Sequence, residues 1–96
     1  MSKTANGYTF RGITASHEII DSIDRYVLAG IPTGDFLLAC IENDLHGAVS
    51  HADEENLPAI PAIMAYLYNE CPSGCWGAKG AMKAWVERRA EQLRRL

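Results

Sequence analysis

The chain has no run of about 18 apolar residues, so no membrane span is expected. Its first residues, MSKTANGYTF, lack the basic-then-apolar layout of a signal peptide, so secretion is not expected either. Cysteine is scarce, and Cys40, Cys71 and Cys75 cannot all pair within one chain, which suits a reducing compartment better than a disulfide scaffold. Bases are rare over residues 1–70, where Lys3, Arg11 and Arg25 face ten acids (net −7), whereas residues 71–96 carry six bases against Glu87 and Glu91 (net +4). Only the last stretch offers cations, and Trp85 is the one aromatic interleaved with them, so duplex nucleic acid is a poor partner.

What is present fits one small domain: 96 residues, 48% of them apolar, suffice for a single modest core. Met1 to Gly7 reads as a loose polar tail, and Tyr8 to Ile13 as an extended arm, since one isolated strand is not a sheet. Ser16 is placed to cap a first helix carrying Ile19, Ile20, Ile23, Tyr26 and Val27 inward, with Gly30 and Pro32 as its stop and Glu18, Asp21, Ser22 and Arg25 outside. The periodicity predicts a second helix from Thr33 to Asp35 through Phe36, Leu37, Cys40, Ile41, Leu45, Ala48 and Val49 to about Ala52. A third should start between Asn56 and Pro61 and bury Ile60, Ile63, Met64 and Leu67. A fourth should run from about Ala78 to near Leu96. The expected architecture is all-α: an extended arm over residues 1–14, then a compact bundle of about four helices over 15–96.

Metal and redox chemistry are weakly supported. Cys71 and Cys75 are separated by three residues, and the other soft ligands are Cys40, His17, His46 and His51, which is not a zinc spacing. A redox pair would favour two intervening residues. Cys71 instead extends the stripe of Ile60, Met64 and Leu67, while Pro72 and Gly74 turn the chain. No histidine has a Ser or Cys partner at a spacing that suggests a nucleophile, so no catalysis and no cofactor are expected.

The informative pattern is internal. YVLAGIPTGDF, Tyr26 to Phe36, aligns with YLYNECPSGCW, Tyr66 to Trp76, forty residues later. In each, proline ends a helix, Thr33 or Ser73 follows, and Gly34 or Gly74 leaves backbone N–H groups open. In an up-down-up-down bundle the two turns would be neighbours and would form an anion or phosphate site, with Phe36, Tyr68 and Trp76 as a stacking wall and Asn43, Asp44 and Asn69 reading polar edges. Two ordinary capped turns are the plainer alternative. On a continuous second helix Asp44 falls in the apolar arc, as does His51, and a buried carboxylate needs a donor. Arg89 on the last helix is one candidate partner; the alternatives for Asp44 are a helix cap or a bond to a tyrosine hydroxyl.

The elements G-x-P-x-G-x-F-L from Gly30, Asn43-Asp44-Leu45, Ala52-Asp53-x-x-Asn56 and Tyr68-Asn69-Glu70-x-Pro72-x-x-Cys75 together resemble a group of small phage and prophage proteins of unassigned function. The resemblance covers Tyr26 to Gly77; Cys71, where a small residue is familiar, and the prolines Pro58 and Pro61 depart from it. It implies a phage accessory protein acting in the host cytoplasm by binding, either sequestering a nucleotide-derived immune signal or, through its acidic surface, inhibiting a host defence complex much as an anti-CRISPR does. A morphogenesis or replication accessory is the remaining expectation. A bundle this small also gains core by pairing, so a homo-oligomer through Met82, Trp85, Val86, Leu93 and Leu96 is expected as well.

Overall fold

A computed structural model describes residues 2–4 and 7–95. The N-terminal stretch is more than an arm: β1 (Ser2–Thr4), β2 (Gly7–Phe10) and β3 (Ile13–Ser16) form an antiparallel sheet in the order β1-β2-β3. Of the tail, Met1, Ala5 and Asn6 lie outside the described residues, while Ser2–Thr4 pairs with β2. The β2–β3 hairpin closes through Arg11 and Gly12, with φ of 50° and 80°, under the Phe10–Ile13 pair. Two successive positive φ values give a turn whose twist matches that of the strands. Tyr8 and Ala15 are cross-strand partners and both are buried, whereas the hydroxyls of Thr9 and Thr14 pair on the opposite face at 2.9 Å. A single strand could not hold its place, but a meander with one apolar face covered by helices can. Gly7 permits that meander: its φ is +124°, and a Cβ there would lie 1.8 Å from the Ala15 carbonyl oxygen.

Among the described residues five α-helices follow, so the molecule is mostly helical but carries a small sheet beside its helices. Helix α1 (His17–Ala29) is capped by Ser16, whose hydroxyl accepts from the Ile19 N–H, and buries Ile20, Ile23 and Tyr26. It ends at Gly30 in the left-handed region (φ 70°), where a Cβ would stand 2.8 Å from that of Arg89. The expected second helix is two: α2 (Asp35–Ile41) and α3 (Leu45–His51). Asn43, at φ 59°, breaks the run, and the Asp44 carboxylate restarts it by accepting from the Gly47 N–H at 3.0 Å. Asn tolerates that backbone and Asp is a strong N-cap, so Asn43-Asp44 is punctuation that the apolar period conceals.

A 3₁₀ turn at Leu57–Ala59 leads into α4 (Ile60–Glu70), with a proline in its first turn. After Cys71 the chain turns once more at Ser73–Cys75, and α5 (Ala81–Arg94) closes the fold. Core side chains come from every layer: Tyr8, Ile20, Ile23, Tyr26, Leu37, Cys40, Ile41, Ile63, Leu67, Cys75, Met82 and Trp85. Burying each large apolar side chain contributes about 1.5–3 kcal/mol.

Helix α5 is fastened to the end of α1 by polar contacts. The Trp85 indole N–H donates to the Val27 carbonyl at 3.1 Å, and the Arg89 Nε–H donates to the Leu28 carbonyl at 3.0 Å, with Nη2 donating to the same oxygen. These are carbonyls a helix end leaves without intrahelical partners, and α1 has no base of its own in its last turn. Arg89 is therefore committed to α1, and the expected Asp44–Arg89 pair does not form. Asp44 and His51 are exposed, because the break at Asn43 rotates α3 away from the continuous-helix register.

Candidate functional site

The loops that carry the two Pro-[Ser/Thr]-Gly turns are attached to opposite ends of α2. Gly34 is the N-cap of α2, at its start, whereas the second loop is tied to the end of α2 by a 2.7 Å bond from the Gly77 N–H to the Ile41 carbonyl. Seven residues of helix, about 10 Å, separate those attachments. Neither turn is a capped anion cradle: the Thr33 hydroxyl donates to the Gly34 carbonyl, and the Ser73 turn lacks a side-chain cap bond. A bundle with five helices and an N-terminal sheet does not have the alternating connectivity from which adjacency was expected.

The second loop has a different anchor. The hydroxyl of Tyr26, itself 0% exposed, donates to the Cys75 carbonyl at 2.7 Å and more loosely to that of Ala81 at 3.5 Å. Burial pushes the Tyr26 phenol well above its ordinary pKa, and nearby Cys75, Glu42 and Cys71 act in the same direction. The tyrosine is thus a neutral donor that holds the loop and, with it, the position of Trp76.

Trp76 forms one wall of an apolar concavity lined by Phe10, Pro61, Met64, Ala65, Tyr68, Asn69 and Trp76, with a cavity volume of about 680 Å³. That lies inside the roughly 300–1,000 Å³ range of small-molecule sites. Tyr68 is 74% exposed and meets Trp76 edge to face, with ring centroids 6.0 Å apart. The Trp76 indole nitrogen is buried and has no acceptor among the described residues. At the margin contributed by the sheet, the Arg11 guanidinium stands 5.1 Å over the Phe10 ring. Asn69 serves the scaffold, since its side-chain amide reaches the buried Tyr8 hydroxyl at 3.5 Å, and Tyr8 in turn packs edge to face on Tyr66. The Tyr66 hydroxyl donates to the Asp24 carboxylate, joining α4 to α1.

Three of the residues expected from sequence, Tyr68, Asn69 and Trp76, meet in this concavity. Asn43 and Asp44 line a different one, with Ala39, Cys40, Leu45, Ala48, Ile60 and Met64, whose volume of about 150 Å³ is too small for a nucleotide. Phe36 packs against the core, and Thr33, Gly34, Ser73 and Gly74 contribute to neither cavity. Phe10, Pro61, Met64 and Ala65 were missed, Met64 having been expected only in the core stripe of α4. Phe10 reaches the site only because the N-terminal residues form a hairpin, and its alternation with Tyr8 was the available signal. Among the described residues no group of three or more His, Cys, Asp or Glu side chains could hold a metal ion, and no helix is long and apolar enough to cross a membrane. No protein-family model, curated protein or solved structure matches the chain.

Proposed function

We propose that the protein is a non-enzymatic binding protein whose ligand places a planar ring in the Phe10–Tyr68–Trp76 concavity, and that this ligand is a nucleotide-derived signal of host antiviral defence, sequestered on behalf of a phage. The observation that carries the reading is the exposed Tyr68 ring standing against Trp76 beside an otherwise apolar wall. A base stacked on an aromatic side chain gains about 1–3 kcal/mol. The Trp76 indole N–H is without an acceptor among the described residues, and Arg11 supplies a cation at the rim for phosphate. The phage setting and the host cytoplasm rest on the resemblance over Tyr26 to Gly77. Isothermal titration against cyclic dinucleotides and cyclic ADP-ribose relatives is the test. Binding that Tyr68→Ala and Trp76→Ala each weaken at least tenfold supports the proposal, and no heat with any of these compounds refutes it.

Inhibition of a host defence protein is the second reading, favoured by the exposed acids Glu18 and Asp21 on α1 and Asp53, Glu54 and Glu55 before α4. Salt-sensitive capture of a basic nuclease, lost when Glu18 and Asp21 are neutralised, would distinguish it. Asp24 is already engaged by Tyr66 and belongs to the scaffold.

A further inference from the structure

The charges of the chain are divided along its length, and the fold leaves both parts facing solvent. Between Arg25 and Lys79 there is no lysine or arginine but there are seven acids, whereas residues 88–95 carry Arg88, Arg89, Arg94 and Arg95 against Glu91, four minus one, a net of +3. Helix α5 makes its last hydrogen bond to α1 at Arg89, and every residue from Ala90 to Arg95 is exposed. Of the stripe expected to meet a second copy, Met82 and Trp85 are taken into the core of their own chain, and Leu96 lies outside the described residues. What remains is Leu93, 43% exposed and followed by Arg94 and Arg95. On the acidic side, the apolar hollow of about 150 Å³ opens between α3 and α4, with Leu45, 68% exposed, and Ala48, Ile60 and Met64 among its walls. The loop joining those helices carries Asp53, Glu54 and Glu55, all exposed. Among the described residues Glu54 and Glu55 have no ion-pair partner, and Arg94 and Arg95 pair with Glu91 of their own helix.

We propose that this acidic face receives the end of α5 from a second copy of the chain, Leu93 entering the hollow and Arg94 and Arg95 meeting Glu54 and Glu55. An apolar hollow of that volume admits a benzene-sized group, which suits one leucine side chain. Asp53 is held in its loop, its carboxylate accepting from the Asn56 N–H at 2.7 Å, so the chain that presents Glu54 and Glu55 is itself fixed. Charge decides which surfaces meet. Laying the acidic face on its own copy, or one basic end on another, would set like charges together, which opposes association. Basic end on acidic face is the arrangement in which both sets of charges gain a partner. The contact therefore joins two different surfaces, and each copy offers one of each. Of the residues named, only Met64 also lines the aromatic concavity, so the contact does not depend on the ligand proposed above. It engages Glu54 and Glu55 with a copy of the chain rather than with a host protein.

Sedimentation velocity of the full chain over a concentration series is the test. The unaltered protein should self-associate at about 0.1 M salt and dissociate at about 1 M, where the Debye length has fallen from about 10 Å to about 3 Å. Arg94→Gln with Arg95→Gln removes the charge of the basic end, and Glu54→Gln with Glu55→Gln that of the acidic face. All four side chains are exposed, so both proteins should keep the circular dichroism of the unaltered one. Each variant alone should self-associate roughly tenfold more weakly. An equimolar mixture of the two should associate more strongly than either alone, as a one-to-one pair, because the intact end of one meets the intact face of the other. Leu93→Ser should reproduce the loss. An unaltered protein that stays monomeric at the lower salt, association insensitive to salt, any of these variants without effect, or a mixture no stronger than its parts would each overturn the proposal. A monomer that takes up a basic amphipathic peptide on this face would assign the face to another protein and overturn it as well.

Discussion

Replacing Tyr26 by Phe removes one oxygen from the centre of the molecule and little else. The ring is fully buried and would stay in place, so no cavity term of consequence arises. What disappears is the 2.7 Å bond to the Cys75 carbonyl, with the weaker one to Ala81. The Cys75 carbonyl would be left in the interior without its donor, at a cost of about 1–3 kcal/mol. At the middle of that range, a domain of this size should melt roughly 10 °C lower, and its urea midpoint should fall by about 1–2 M. Circular dichroism during urea titration measures the stability, and Tyr68→Phe is the control, because that hydroxyl sits on an exposed ring and its loss should stay within about 0.5 kcal/mol. If Tyr26→Phe also stays within about 0.5 kcal/mol of the unaltered protein, the tyrosine does not hold the second loop, and the account of how Trp76 is positioned fails with it.

Asp44→Ala should lose about 1 kcal/mol with its helix cap while Asp44→Asn keeps most of it, and exchanging the charges of Asp44 and Arg89 together should give no rescue in a double-mutant cycle. Gly7→Ala should destabilise more than Tyr26→Phe, by at least about 3 kcal/mol from strain and collision with the Ala15 carbonyl, read by urea unfolding. Burial pushes the Cys40 thiol up to about 11 from 9.0. The folded protein thus holds this proton more firmly than the unfolded chain, so the contribution is complete below about pH 9 and fades as pH rises toward 11, by about 3 kcal/mol in full. Tyr26 shifts in the same direction from 10.0 and deepens the loss at higher pH. Melting temperatures across that window should fall more gently for Cys40→Ala.

Local chemistry was readable without coordinates. Ser16 and Gly30 bracket α1, a proline opens α4, and the stripe of Ile60, Ile63 and Leu67 points inward, because caps and periodicity act over one or two turns of the chain itself. Tyr68, Asn69 and Trp76 could be grouped for the same reason, lying within nine residues of one another. The break at Asn43-Asp44 was also written locally, but the apolar spacing on either side outweighed it. What the tertiary structure alone decided are contacts between distant parts of the chain. The hairpin becomes a sheet because helices cover Tyr8 and Ala15; Arg89 turns to α1 because unpaired carbonyls lie within its reach; the loops of the two Pro-[Ser/Thr]-Gly turns attach at opposite ends of α2. Phe10 enters the candidate site only through such packing and backbone reversal. Periodicity specifies which face of an element is apolar, whereas the choice of the surface that covers it depends on the burial and hydrogen bonding of the whole chain at once.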